Sequence, residues 1–407
     1  MRKKTLTLLF LTTLVLSGCN GANDDNDEMF DLFNPTKTCL VNRLVKEYTD
    51  RMYAQRSDAG VLPSEENKIV SPLYADRVKI KEYLGDYDEC VPLELNFVTN
   101  KAIKNDAFVV RYWPKGKENQ YIDIAAHDGK VELNNLFRST TYEWKVLSSS
   151  GKESNVEKFT TDDYVRFINC GGAFNFRDAG GWTTLNGKRI KQGLIYRGGE
   201  LNDHTLPNGH EKNIFGDSDP AKKIFVDDLG IRVDIDLRTR EESDGMTSSP
   251  MNTAGVTKSD PRYVEYIRPN INSYINGLNS IVTQENIKIM FEDYFANANN
   301  KPVYYHCYAG ADRTGTVGFV LGAILGMTYT DLIIDYEATT FSDNLKEHDV
   351  NRENTYFPDL LAGIKNWDFY SEDMTLCEIM ETYLTQKCKV SMETIEQIRS
   401  IMLEDIN

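Results

Sequence analysis

The chain has few histidines, and they are scattered: His127, His204, His210, His306 and His348 are all it carries in 407 residues. None stands at metal-ligand spacing from another or from a cysteine pair. The seven cysteines (Cys19, Cys39, Cys90, Cys170, Cys307, Cys377 and Cys388) form no C-x-x-C unit. A zinc module and a dense disulfide scaffold are therefore excluded, and no metal or cofactor is expected. Basic residues are also in deficit, 46 Lys and Arg against 62 Asp and Glu, for a net charge of −16. Like charge repels nucleic acid and anionic membrane surfaces, so neither is an expected partner. No internal repeat runs along the chain. A hydrophobic fraction of 41% with 27% charged residues excludes both a wholly disordered chain and a polytopic membrane protein.

What is present begins with an export segment. "MRKK" is a positive start, "TLTLLFLTTLV" is apolar but short for a bilayer span, and "LSGC" ends in small residues before Cys19. An ordinary signal peptide or a short anchor helix fits this pattern. "LSGC" also resembles the bacterial lipobox, which implies cleavage before Cys19, acylation of its thiol and attachment to a membrane. The predicted units are a signal peptide over 1–18, an acidic tether over 19–35 ("NGANDDNDE") and a helical segment with connector over 36–87. In the last of these, Leu40, Val41, Leu44, Val45 and Tyr48 recur with helical spacing.

Over 88–162 the texture becomes short alternating runs, "LELNFVT", "AFVVRYW", "YIDIAA", "TYEWKVLSS" and "VEKFTTD", separated by turn residues. That spacing predicts a small all-β sandwich. Its final third resembles the fibronectin type III pattern, with an unknown binding partner implied; a generic two-sheet β domain is the alternative. From 165 to 407 the pattern is α/β. "IRVDIDLRT" and "PVYYH" read as buried strands, "DPAKKIFVDDLG", "ENIKIMFEDYFANA" and "RTGTVGFVLGAILGM" as helices, and Ser391 as a cap for the last helix.

The chemistry concentrates in "HCYAGADRTG", residues 306–315. A strand, a tight loop with Gly310 and a helix start present backbone N–H groups and a positive dipole end to an anion. Arg313 offers a planar fork matched to two phosphate oxygens. Cys307 shares that positive field, which favours the thiolate over the thiol. Attack by its sulfur on phosphorus would give a cysteinyl-phosphate that water then clears. A C-x5-R spacing alone is weak evidence. The agreement of His306, Gly310, Asp312, Thr314 and Gly315 between a strand and a helix makes it specific.

This stretch resembles the signature loop of cysteine-dependent protein tyrosine phosphatases, most closely their bacterial branch. Other motifs of that branch follow in order: "NFRDAGG" (175–181), "GLIYRGGEL" (193–201, with Gly198 where the branch has serine), "DLRTREE" (236–242) and "DYEAT" (335–339). The resemblance implies an α/β phosphatase domain with Cys307 as nucleophile, Arg313 as phosphate clamp, Thr314 stabilising the departing thiolate and His306 orienting the loop. Tyr308, Ala309, Gly310, Ala311, Arg177 and Arg238 would join Arg313 in binding substrate. The general acid would be Asp312, or else Asp236.

The branch commonly has lysine where this chain has Ala311, a difference that lowers the expectation of lipid phosphatase activity. The expected substrate is a phosphorylated protein or small phosphate ester, on tyrosine and also serine or threonine. Rival readings are a phytase-like inositol phosphate phosphatase and a silent phosphoprotein-binding module; binding alone would not need the thiol. A disulfide between Cys170 and Cys307 under oxidation is a further expectation.

Overall fold

The computed structural model describes residues 29–68, 78–83, 90–170, 173–201, 220–342 and 356–406. The export segment, the lipidation site Cys19 and the acidic run lie outside the described residues.

The N-terminal unit is two antiparallel sheets facing one another. One has the order β1 (Phe30–Phe33), β2 (Leu93–Thr99), β5 (Lys130–Leu133); the other runs β4 (Ile122–Ala125), β3 (Phe108–Pro114), β6 (Thr141–Ser148), β7 (Glu157–Thr160). Alternation decides which side chains face inward: Leu93, Leu95 and Phe97 from β2 meet Val110, Tyr142, Trp144 and Val146 from β3 and β6 in one core. The predicted boundary of this unit needs correction. Phe30–Phe33, assigned above to the tether, is an edge strand whose four residues pair with Asn96 to Thr99. The helical segment then leaves the sandwich altogether.

That segment is α1 (Arg43–Asp58), started by the Asn42 side chain, which accepts from Val45 N at 2.9 Å. Its buried face, Val45, Tyr48 and Met52, belongs to the large core of the C-terminal unit. Tyr48 Oη donates to the buried carboxylate of Glu337, and Tyr53 Oη to Asp331 Oδ1 at 2.8 Å. Two buried arginines complete the joint. Arg166 spans Asp178 Oδ2 (2.6 Å), Asn135 O (2.6 Å) and Leu136 O (3.0 Å), while the Arg138 main chain donates to and accepts from the Gln192 side-chain amide and its guanidinium lies over the Trp182 ring.

The C-terminal unit is built on a five-stranded sheet. Its strands are β8 (Arg177–Asp178), β10 (Ile195–Gly198), β11 (Val233–Asp236), β12 (Glu265–Ile267) and β13 (Val303–His306), in the order β12-β11-β13-β10-β8. A separate pair joins β9 (Lys188–Ile190) to β14 (Leu403–Asp405). The four strands β12, β11, β13 and β10 are parallel, and every residue of β10, β11 and β13 is buried, as expected for strands covered on both faces. The covering helices are α2 (Pro220–Lys222, continuing as a π-helical turn over Lys223–Asp228), α3 (Tyr274–Leu278), α4 (Ile281–Ile289), α5 (Asp312–Ile324), α6 (Tyr329–Glu337), α7 (Tyr356–Ile364), α8 (Leu376–Thr382) and α9 (Met392–Met402). Ser391 caps α9 as the sequence predicts, accepting from Thr394 N at 3.0 Å. Gly198 and Asp236 are both in register with His306, so three parallel strands end level. In open α/β sheets the carboxyl ends of the strands are where ligands bind. Among the described residues no helix is long and apolar enough to cross a membrane.

Candidate functional site

Residues 307–311 connect the end of β13 to the start of α5. Gly310 has φ +68°, and a Cβ there would lie 2.3 Å from the carbonyl carbon of Gly198 and 2.7 Å from Gly199 N. Both the left-handed backbone and the contact with the neighbouring strand end demand glycine.

Every carbonyl of this loop is tied away. Cys307 O is 3.1 Å from His306 Nδ1, Tyr308 O accepts from Glu200 N (3.0 Å), and Ala311 O accepts from Gly315 N (2.8 Å). Asn175 Nδ2 donates to both Ala309 O (2.9 Å) and Gly310 O (3.0 Å), and Arg197 Nη2 also reaches Gly310 O (3.3 Å). By contrast, the N–H groups of the buried Ala309, Gly310 and Ala311 donate to no carbonyl or side chain among the described residues. Buried amides are almost always paired, so three successive unpaired ones beside a helix N-terminus form a cradle for an anion.

The arginine anchors around this loop form one buried network. Asp335 on α6 accepts from Arg197 Nη1 at 2.5 Å and Arg177 Nε at 3.0 Å, and its backbone carbonyl takes Arg177 Nη2 at 2.7 Å. Burial and the neighbouring Arg197 bring the Arg177 guanidinium down to about 10, while the same two arginines hold the Asp335 carboxyl below its usual range against burial. Arg238 is equally enclosed, bidentate to Asp236 (2.8 and 2.7 Å) and paired with Glu200.

These placements correct three sequence assignments. Arg177 and Arg238 are wholly buried, their forks engaged inside the protein, so they brace the loop instead of binding substrate. Asp236 is no proton donor in this geometry. It is wholly buried and accepts from Arg238 and from Tyr266 Oη (3.0 Å); burial raises its pKa, but His306 and Arg238 outweigh that and hold it down.

His306 sits between two acceptors, its Nε2 3.0 Å from Asp234 Oδ1 and its Nδ1 3.1 Å from Cys307 O. A carboxylate and a carbonyl can only accept, so both ring nitrogens carry hydrogen. Burial alone would push the imidazole down; Asp236 and Asp234 outweigh it and the net shift is upward. Cys307 is 4% exposed at the mouth of the cradle. Thr314 is buried with its Oγ1 unpartnered among the described residues, so the expected hydrogen bond to the Cys307 sulfur is not made. Tyr308 is the loop side chain at the rim, 37% exposed.

Arg313 lies on the first turn of α5, its fork held by Glu242 at 2.8 and 2.6 Å. The guanidinium drops the Glu242 carboxyl to about 2, and Glu242 with the Cys307 sulfur outweighs burial to keep Arg313 charged. Glu242 closes the "DLRTREE" segment and could have been found there, as could Asn175, Arg197 and Asp335 in theirs. Asp312, half-buried, accepts a hydrogen bond from Tyr274 Oη. Neither Cys170 nor Cys307 is disulfide-bonded; Cys170 donates to Ala221 O at 3.4 Å within a separate apolar cluster.

A sequence profile of the tyrosine phosphatase family matches residues 168–404. No curated protein matches the chain. One solved structure that the chain matches is the core catalytic domain of the PP-IP phosphatase SIW14 from S. cerevisiae in complex with citrate, at 14% identity and a TM-score of 0.24, covering 43% of this chain and 90% of that one.

Proposed function

From the premise that this chain belongs to the tyrosine phosphatase family, we propose that it hydrolyses phosphate monoesters on proteins through a cysteinyl-phosphate on Cys307. Phosphotyrosine is the favoured substrate, with phosphoserine and phosphothreonine as secondary ones. The observation that carries the reading is the trio of unpaired amides at Ala309, Gly310 and Ala311, next to a cysteine and an arginine fork.

In the first step the amides and Arg313 bind the phosphoryl oxygens, and the Cys307 thiolate attacks phosphorus. The bond from phosphorus to the ester oxygen breaks, its electron pair staying with that oxygen, and Asp312 supplies the proton. In the second step water attacks phosphorus, Asp312 takes the proton from it, and the sulfur leaves as thiolate with the Thr314 hydroxyl within its surroundings. His306, positively charged behind the loop, and the α5 N-terminus favour the anionic sulfur.

Around this chemistry we place an exported protein, acylated at Cys19 and held on a membrane by that lipid. The sandwich is read as a fibronectin type III-like domain that binds a partner. What supports this is the three-and-four strand arrangement β1-β2-β5 over β4-β3-β6-β7.

The test is hydrolysis by the full chain of a phosphotyrosine peptide, a phosphoserine peptide and an inositol phosphate, with chelator present. Activity on the tyrosine peptide that disappears in Cys307→Ser, with the variant still retaining that peptide, is the expected result. Turnover that survives Cys307→Ser would refute the mechanism, and activity confined to the inositol phosphate would refute the substrate class.

A further inference from the structure

We propose that Tyr274 is a positioning residue for the proton donor, holding the Asp312 carboxyl in one orientation through its hydroxyl, with Tyr336 behind it. This rests on the reading of Asp312 as general acid given above.

Tyr274 lies in none of the recognisable motifs, yet two separate links join it to the first turn of α5. Its hydroxyl donates to Asp312 Oδ1. Its backbone N–H donates to Thr316 Oγ1 at 2.7 Å, and that hydroxyl in turn donates to the Asp312 carbonyl at 2.8 Å. Side chain and main chain of one residue thus grip the same aspartate. The residue is also held in the left-handed region, at φ 53°, which a bulky aromatic side chain rarely adopts. A strained conformation persists only where its surroundings enforce it, and here the enforcing contacts are those that aim the phenol at Asp312.

The phenol is itself backed. Its oxygen is 3.0 Å from Tyr336 Oη, and the two rings meet edge to face at 6.3 Å. Tyr336 follows Asp335 on α6, the carboxylate that anchors Arg177 and Arg197 and through them the loop carbonyl of Gly310. The cradle for the phosphoryl group and the orientation of the proton donor are therefore set from adjacent residues of one helix.

With Tyr274 bonded to Oδ1, the carboxyl cannot rotate freely, and its proton meets the leaving oxygen in the same geometry at each turnover. The proton passes from Asp312 to the ester oxygen as that oxygen leaves phosphorus; the resulting carboxylate keeps the Tyr274 hydrogen bond and later receives the proton of the attacking water. Tyr274 transfers no proton itself.

The experiment compares kcat/KM, which covers only the steps through cleavage of the ester bond and leaves out the shared hydrolysis step, for the full chain on phenyl phosphate, a poor leaving group that needs protonation, and p-nitrophenyl phosphate, a good one that needs it less. General acid catalysis contributes about 10²–10⁴-fold, so Asp312→Asn should lose far more on the phenyl ester. Tyr274→Phe, which keeps the ring, should lose about tenfold on the phenyl ester and about twofold on the nitrophenyl ester, with Tyr336→Phe smaller in the same direction. The ratio of the two rates within one sample is insensitive to partial misfolding. Equal losses on both esters in Tyr274→Phe, or none, while Asp312→Asn discriminates between them, would overturn the role of Tyr274 alone. Equal losses in Asp312→Asn would overturn the general-acid assignment and the Tyr274 proposal with it.

Discussion

Asp335 makes a sharp test of how the phosphate cradle is held. Its side chain is 12% exposed and bonds two wholly buried arginines, Arg177 and Arg197. Asp335→Asn keeps the shape and removes the charge, leaving two buried guanidinium groups facing each other. Breaking a buried pair from one side costs about 3–5 kcal/mol. The backbone acceptors Asp335 O, Asn175 O and Gly310 O still serve the two forks, which favours the lower end of that range. At roughly 2–4 °C per kcal/mol for a unit of this size, about 3 kcal/mol lowers the melting midpoint by about 6–12 °C. The pH dependence has a definite sign. The folded carboxyl is held below its unfolded value, so its contribution is fully present above about pH 4 and is lost as pH falls through the depressed folded value. Scanning calorimetry of wild type and variant at pH 7 and at decreasing pH should show a gap that narrows only in acid. Because Arg197 also ties Gly310 O, kcat should fall by about 10- to 100-fold at temperatures where the variant is folded. A midpoint within about 2 °C of wild type at pH 7 would refute the claim that this carboxylate anchors the loop.

Three further outcomes follow from the same geometry. Glu242→Gln should lower kcat/KM by about tenfold through the loosened Arg313 fork; the pair is 41% and 23% exposed, so the melting midpoint should hardly move, and unchanged kcat/KM would contradict the positioning role. The stability gap between wild type and His306→Gln should be widest below about pH 6.5 and shrink as pH rises through the raised folded value; a gap constant from pH 6 to 9 would contradict the charged imidazole. Gly198→Ser restores the serine of the related motif but brings Cβ to 2.4 Å from Tyr304 Oη, and should cost about 1–3 kcal/mol in denaturant unfolding; adding Tyr304→Phe should return part of it, and full stability of the single variant would show that the strand ends give way.

How far the sequence reveals this arrangement depends on how local the information is. Strand β13, the loop and α5 are contiguous, so their residue types and spacing disclose them without the fold. β1 stays hidden because it lies in an acidic stretch and pairs with a strand more than sixty residues away, and the four-residue β5 is hidden by its shortness. Arg177 and Arg238 are visible as motif residues, but a strand pattern does not say which arginines face a ligand. Their complete burial decides for bracing. Tyr274 leaves no trace in sequence, since its role depends on a positive φ and on two contacts reaching across to α5.

The path of the chain through α1 affects what can be separated. It starts as an edge strand of the sandwich, crosses to bury Val45, Tyr48 and Met52 against the phosphatase core, and returns to the sandwich at β2. The two units are interleaved like a stitch, and no single cut parts them. Trimming at residue 163 would strip α1 from α6, leaving the Glu337 carboxylate without its Tyr48 hydroxyl and an apolar face open beside the helix that carries Asp335. Evolution could therefore exchange the sandwich for another module only by carrying α1 along with the phosphatase.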